Sequence, residues 1–426
     1  MTLPYIKMDN SITNTLPNEI LAYVASFLVH DKQAQCAFTR VCNLFYCVAH
    51  AVFDQRPVFQ YMCRCGYADV VKFFLADGRV DPAADDNYAI RFSSINGHAD
   101  VVRLLLADGR VDPTTTDNYA IRWSSYYGYA DVVGLLLADG RVDPAANDNH
   151  AICASSQNGH TDTVRLLLAD GRVDPTAKCN YAIRFSSHNG YTDVVRLLLA
   201  DGRVDPTISN YVMQESSENG RTELVKLLLE DGRADPANIV NYAIRLSSED
   251  GYTDVVQLLL ADPRVDPTAG NDYAIRLSSE NGHTDVVKLL LADGRADPTN
   301  INNHAIQWSC RYGHTDVVKL LLEDGRADPA AYDNAAIRWS SENGHAEVVK
   351  LLLVDRRVDP TAYNNYAIKE SSIKGNADVV QLLLADRRVD PTLKSSLQAT
   401  SLIYFCGIPS LVNSTIFSSD VDSDSD

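Results

Sequence analysis

One stretch of this chain, Tyr273 to Pro298, reads Y-A-I-R-L-S-S-E-N-G-H-T-D-V-V-K-L-L-L-A-D-G-R-A-D-P, and the unit it represents returns eleven times. The glycine in the middle of the unit stands at 66, 97, 128, 159, 190, 220, 251, 282, 313, 344 and 375, a spacing of 31 residues with a single 30. A period shorter than a domain overrides the domain count that 426 residues would otherwise suggest. It points to units stacked in a row, each contacting its neighbours.

Each copy holds two helical patterns. The first, Y-A-I-R-x-S-S, is short and follows an Asn in most copies (Asn87, Asn118, Asn180, Asn241), which suits a helix N-cap. The second, such as Asp100 to Leu106, has five apolar residues in seven. That stripe is wider than a surface helix needs, so the helix must be covered on several sides, and stacked neighbours can do this. The expected fold is an all-α solenoid.

The breaks between helices carry their own chemistry. The middle glycine is constant in all eleven copies, as a left-handed position requires. An Asp-Pro follows the second helix in every copy, from Asp81-Pro82 to Asp390-Pro391, and the residue before a proline resists the helical conformation. The glycine of A-D-G-R is present in eight copies and replaced by Pro263, Arg356 and Arg387 in the others. Proline is locked near a φ of about −65°, so the copy with Pro263 must end its helix without a left-handed cap.

The totals exclude some function classes. A formal charge of −18 opposes binding to a phosphate backbone, so no nucleic-acid partner is expected. The nine cysteines (Cys36, Cys42, Cys47, Cys63, Cys65, Cys153, Cys179, Cys310, Cys406) are odd in number, contain no C-x-x-C and do not follow the repeat, which suits reduced intracellular thiols. No secretory pattern opens the chain, and the longest apolar runs fall far short of the roughly 20 residues that span a bilayer. A cytoplasmic or nuclear, non-secreted monomer with no membrane partner is expected. No phosphate loop, H-E-x-x-H or G-x-S-x-G occurs, so neither enzyme activity, metal nor cofactor is expected.

Residues 1–14 read as a disordered lead-in, and three short helical patterns follow within 15–56. L-P-N-E-I-L at Leu16 to Leu21, with Phe27-Leu28, Val41-Cys42 and Phe45, resembles an F-box. The resemblance implies that Leu16, Pro17, Ile20, Leu21, Phe27, Leu28, Val41, Cys42 and Phe45 dock on a Skp-type adaptor and, through it, a cullin. It departs from the family at Gln33-Ala34, where a leucine pair is customary.

The repeat itself, over 57–396, resembles ankyrin repeats. The family's T-P-L-H-x-A-A-x-x-G-H aligns without gaps on Y-A-I-R-x-S-S-x-x-G-H, and V-V-x-L-L-L is retained. The unit is two residues shorter than the family's usual period, so the loops between units should project less. Residues 397–415 read as a degenerate capping repeat and 416–426 as a disordered acidic tail. The combination is similar to the F-box plus ankyrin proteins of giant DNA viruses that infect amoebae, which would place it in a host cell.

The positions that vary most between copies are the two before the constant glycine. The resemblance puts them on the concave, partner-binding side, which nominates Tyr126, Tyr127, His188, Glu218, Glu249, Glu280, Arg311, Tyr312 and Glu342 as contacts to an unknown target protein. The histidines after the glycine (His98, His160, His283, His314, His345) suit loop packing better than metal binding, because stacked helices lie roughly 10 Å apart. The arginines of Y-A-I-R (Arg91, Arg122, Arg184, Arg245, Arg276, Arg338) suit bonds to loop carbonyls or aspartates. The next position (Phe92, Trp123, Phe185, Trp308, Trp339) interchanges with leucine and should be core. One copy, Asn210 to Arg221, breaks the pattern after a loop one residue short, and marks a bend or a weak junction. The function expected is recruitment of a target to an SCF-type (Skp–cullin–F-box) ubiquitin ligase. The alternative is an ankyrin scaffold or decoy with no ligase.

Overall fold

The structure, a computed structural model, describes residues 55–207 and 211–389. The F-box-like segment with Leu16 to Phe45, the capping repeat at 397–415 and the acidic tail lie outside those residues. Among the described residues the chain is all-α, with 22 helices and no strand. It divides between Val212 and Met213 into two compact units. The division falls in the copy that breaks the pattern, whose first helix, Tyr211–Glu218, spans 8 residues where the others span 12 or so.

Each unit has two layers. In the first unit Ala84–Ile95, Thr115–Tyr126 and Ala146–Gln157 pack side by side, and Ala99–Asp108 and Ala130–Asp139 do the same behind them. In the second unit Asn238–Glu249, Ala269–Glu280, Asn300–Tyr312, Ala331–Glu342 and Ala362–Ile373 form the first layer. Every copy puts the same residues inside. Ala89 and Ile90 of one helix, Val101, Val102 and Leu105 of the other, and Val111 after it are all 1% exposed or less. Their counterparts one copy on, Ala120, Ile121, Val132, Val133, Leu136 and Val142, are equally buried, so each copy's apolar stripe is covered by the next. At about 1.5–3 kcal/mol per fully buried aliphatic side chain, this layer is the main stabilising term.

The start of the first helix departs from the sequence reading. Asp85, Asp86 and Asn87 have φ of 54°, 53° and 56°, three consecutive left-handed residues before the right-handed helix begins at Tyr88. The same turn occurs at Thr116–Asn118, Asn147–Asn149, Lys178–Asn180, Ile239–Asn241, Gly270–Asp272, Ile301–Asn303, Tyr332–Asn334 and Tyr363–Asn365. Asn87, Asn118, Asn180 and Asn241 are therefore not N-caps. They close the left-handed turn, where Asn is better tolerated than most residues, and their side chains point to the neighbouring copy. Asn87 Oδ1 accepts from the Asp112 backbone N–H at 2.7 Å, and Asn118 and Asn241 accept from Asp143 and Asp266 at 2.8 Å. The Oδ1 of Asn180 has no protein partner.

A left-handed residue other than glycine costs about 1–2 kcal/mol, so three in a row need compensation. The arginine of Y-A-I-R supplies part of it. Arg91 donates from Nε to the Asp86 carbonyl at 2.7 Å and from Nη2 to the Asp85 carbonyl at 3.1 Å. Arg122, Arg276 and Arg338 repeat both bonds on their own turns, and Gln307 donates to the Asn302 carbonyl where its copy lacks the arginine. The loop-carbonyl role expected for these arginines holds there.

Both glycine expectations hold. The constant glycines have φ between 66° and 81°. They are also needed for space, because a Cβ on Gly282 would stand 2.5 Å from Nδ1 of His314 in the next copy. Where Pro263, Arg356 and Arg387 replace the second glycine, the helices end at Ala261, Val354 and Ala385, and the following aspartate is extended. The second serine of S-S is a less expected feature. Ser94, Ser125, Ser156, Ser187, Ser248, Ser279 and Ser341 are buried with no hydrogen-bond partner, at the place where the ankyrin pattern has alanine.

Two pairs of substitutions test this account by urea unfolding. Gly294 has the same left-handed φ as Gly282 but nothing within 4 Å of a built Cβ. Gly294→Ala should then cost about 1–2 kcal/mol for conformation alone, and Gly282→Ala clearly more; equal costs would remove the steric role of the His314 contact. Ser279→Ala should leave stability unchanged or raise it by about 1 kcal/mol, because it deletes an unpaired buried hydroxyl. Ser278→Ala, which deletes the bond to the Ile275 carbonyl, should lower it.

Candidate protein-binding face

The residues before the constant glycine end the first helix of each copy, so the left-handed turn at the other end of that helix fixes their direction. Tyr126, Tyr127 and Tyr312 are 37%, 45% and 49% exposed, and His188, Glu218 and Arg311 are exposed as well. Glu249, Glu280 and Glu342 are half-buried, and each meets the aromatic residue that starts the next copy's Y-A-I-R. Tyr273 Oη donates to Glu249 at 2.6 Å, Tyr366 Oη donates to Glu342 at 2.9 Å, and His304 Nε2 lies 3.6 Å from Glu280. Glu342 also receives Lys374 Nζ at 2.7 Å. Three of the four glutamates are thus braces between copies as well as surface groups.

The electrostatics follow from this placement. Burial, with the Glu249 bond second, pushes the Tyr273 hydroxyl up to about 12. Burial also raises the Glu280 carboxyl, whereas the hydrogen bond from Lys374 lowers that of Glu342. His304 is drawn down to about 4 by burial and then by the Arg276 guanidinium.

The histidines after the glycine act between copies. Nε2 of His98, His160 and His345 lies 2.9 Å from the carbonyls of Arg64, Tyr126 and Arg311, and His283 and His314 reach those of Glu249 and Glu280 at 2.8 Å. Each ring lies over the preceding copy's constant glycine, Tyr129, Tyr191 and Tyr252 do so in three other copies, and Asn376 takes the place over Gly344. Loop packing accounts for all of them. No group of three or more His, Cys, Asp or Glu among the described residues is placed to hold a metal ion. Burial raises the thiols of Cys63 and Cys310, and lifts Cys153 to about 11, so these are packing groups and not nucleophiles.

The sequence reading passed over a second constant pair, the Asp and Arg of A-D-x-R. Arg295 forks onto Asp293 with bonds of 2.7 and 2.8 Å and sends Nη1 to the Val265 carbonyl of the preceding copy at 2.8 Å. The arrangement recurs at Arg110, Arg141, Arg172, Arg203, Arg264, Arg326, Arg357 and Arg388, and the hydrogen bond holds each aspartate below the usual carboxylate range. Its signal lay in the copies themselves. Asp and Arg persist at Asp262/Arg264, Asp355/Arg357 and Asp386/Arg388, where the glycine between them is lost.

The aromatic position after Y-A-I-R corrects another expectation. Phe92, Trp123, Phe185, Trp308 and Trp339 are half-buried and line the face, because Ala89, Ile90 and their equivalents already fill the core. Phe92 stacks on Tyr88 and Phe185 on Tyr181, both at 4.1 Å between centroids. Arg91 and Arg245 reach the next copy's Tyr119 and Tyr273 at 5.6 and 4.5 Å.

A family model for ankyrin repeats, in three copies, matches residues 121–210, 151–239 and 240–333, together half of the chain. The chain belongs to the ankyrin-repeat family. Two solved ankyrin structures are similar to it. The ankyrin repeat protein EF0377 is 20% identical with a TM-score of 0.36, and the match covers 40% of this chain and 96% of that one. The ankyrin repeat domain of Bcl-3, described as a unique member of the IkappaB protein family, is 18% identical with a TM-score of 0.39, over 47% and 96%. No curated protein matches. Ankyrin repeats are typically non-enzymatic protein-binding scaffolds. No helix among the described residues is long and apolar enough to cross a membrane.

His304 gives this face a pH dependence. Its value near 4 lies below the roughly 6.5 of an unfolded histidine, so the unfolded state binds the proton first. The associated stability is present above pH about 6.5 and declines as pH falls toward 4. Unfolding curves across that range should be flatter for His304→Phe than for the unmodified protein; parallel curves would leave His304 unlinked.

Proposed function

We propose that this chain is a substrate-recruiting subunit of an SCF-type ubiquitin ligase. In this reading the F-box-like segment engages a Skp-type adaptor, and a target protein is held by Tyr126, Tyr127 and His188 of the first unit and by Glu218, Arg311 and Tyr312 of the second. The observation that carries the binding half is the contrast within each copy. The core, glycine, Asp-x-Arg and Asp-Pro positions are fixed by packing, whereas exposed tyrosines and charges vary on the frame of each unit. Exposed aromatic and arginine side chains on such a frame are the groups that anchor protein interfaces. The ligase half is supported by L-P-N-E-I-L at Leu16 to Leu21 with Phe27-Leu28, Val41-Cys42 and Phe45. A chain of this kind, similar to those of giant amoeba-infecting DNA viruses, would work in the cytoplasm or nucleus of a host cell.

The second reading is a scaffold or decoy that sequesters its partner with no ligase, since the repeats alone suffice for binding. Pull-down of the full chain separates the two. Skp adaptor and cullin should accompany the unmodified protein and be absent with Leu16→Ala/Pro17→Ala/Ile20→Ala. Absence of adaptor from both would sink the ligase reading and leave the scaffold.

A further inference from the structure

Equivalent positions in the two units carry related aromatic clusters, one holding an arginine and the other not, and the comparison identifies a ligand. In the second unit Trp308 and Trp339 of adjacent copies lie 5.8 Å apart at 54°. The Arg311 guanidinium sits over both, 4.7 Å from the Trp308 centroid and 5.5 Å from that of Trp339. Tyr312 completes the group at 5.8 Å from Trp308. In the first unit Trp123 and Tyr127 occupy the places of Trp308 and Tyr312, but the place of Arg311 holds Tyr126. Opposite Trp123, where the other unit has Trp339, stands the small Ala154.

Among the described residues no arginine or lysine lies over Trp123, which meets rings instead, with His150 at 6.0 Å. Tyr126 lies 5.4 Å from it at 58°, Tyr127 at 6.3 Å, and the two tyrosines meet edge-on at 5.0 Å. Tyr119 and Tyr129 extend the group on either side. Both tyrosines are exposed, and such a cluster is costly to leave in water without a use. Ring faces are electron-rich and attract a planar, weakly hydrated guanidinium.

We propose that the Trp123–Tyr126–Tyr127 cluster is a seat for an arginine side chain of a protein partner, and that Arg311 on Trp308 and Trp339 is the internal copy of that contact. The assignment rests on the reading that these positions meet a protein. The flanking residues set its character. Arg311 lies between the carboxylates of Glu280 and Glu342, both of which feel its charge. The equivalent neighbours of Tyr126 are Ile95 and Gln157, which are neutral. Binding in the first unit must therefore come from the ring faces more than from ion pairing, and should depend only weakly on salt.

The three tryptophans, Trp123, Trp308 and Trp339, allow a direct test with the full chain. In a Trp308→Phe/Trp339→Phe variant Trp123 is the sole indole. Its fluorescence should respond saturably to the peptide acetyl-Gly-Arg-Gly-amide, and at least about ten-fold more weakly to the matching citrulline or lysine peptides. Tyr126→Ala/Tyr127→Ala should weaken the response by a similar factor, and Tyr126→Phe/Tyr127→Phe should keep it. The internal copy gives a second measurement that does not depend on those variants folding. In a Trp123→Phe background Trp308 and Trp339 should ignore the peptide until Arg311→Ala empties their seat, and that response should weaken with salt. A silent Trp123, an equal response to citrulline or lysine, a stronger one to trimethyl-lysine, or no seat opened by Arg311→Ala would each overturn the assignment. The titration uses neither adaptor nor cellular target, so failed adaptor capture leaves the seat standing and a silent Trp123 leaves the ligase reading standing.

Discussion

The three-residue left-handed turn that opens the first helix in nine described copies is the constraint on which the repeat depends. It reverses the chain between copies in a few residues, with no strand among the described residues, and its backbone is unfavourable for every side chain but glycine. Two groups hold it. The arginine of Y-A-I-R satisfies carbonyls on the turn, and the Asn or Asp at its third position satisfies a backbone N–H of the following copy. The second bond matters more for architecture. A copy can close its turn fully only when the next copy is in place, so local conformation and stacking are one event.

The other repeated contacts have the same logic. The Asp-x-Arg fork reaches a carbonyl of the preceding copy, and the His or Tyr ring lies over that copy's glycine. The Tyr–Glu bonds cross to the copy before. Each uses a polar side chain to satisfy a neighbour's backbone or carboxylate. Outside these contacts the exposed side chains include the tyrosines at 126, 127 and 312 and the tips of the left-handed turns.

Those tips differ between the units. In the first they are polar, with Asp85, Asp86, Thr116, Asp117, Asn147 and Asp148. In the second, Ile239, Val240, Ile301, Tyr332 and Tyr363 are bulky, exposed and left-handed at once. A β-branched residue is among the worst choices for that conformation, and nothing within the unit explains Ile239 and Val240 there. The aromatic belt of the second unit extends from Trp308 and Trp339 to Tyr332, whereas the first unit has a cluster around Trp123 and separate stacked pairs at Tyr88–Phe92 and Tyr181–Phe185.

The sequence by itself determined the repeat, its helical class, the left-handed glycines and the exclusion of proline from the second cap. These follow from local rules, since periodicity, φ limits and a missing N–H act within a few residues. It also placed the Y-A-I-R arginines on loop carbonyls or aspartates, of which the carbonyls hold for Arg91, Arg122, Arg276 and Arg338, and the histidines in packing roles, because one copy could be compared with another. Only the tertiary structure decided where Asn87 sends its side chain, why Asp and Arg persist around a lost glycine, and that Trp123 and Trp308 line a face while Ile90 and Ala89 fill the core. Each of those depends on an atom about thirty residues away in the adjacent copy, and stacking alone brings it within reach.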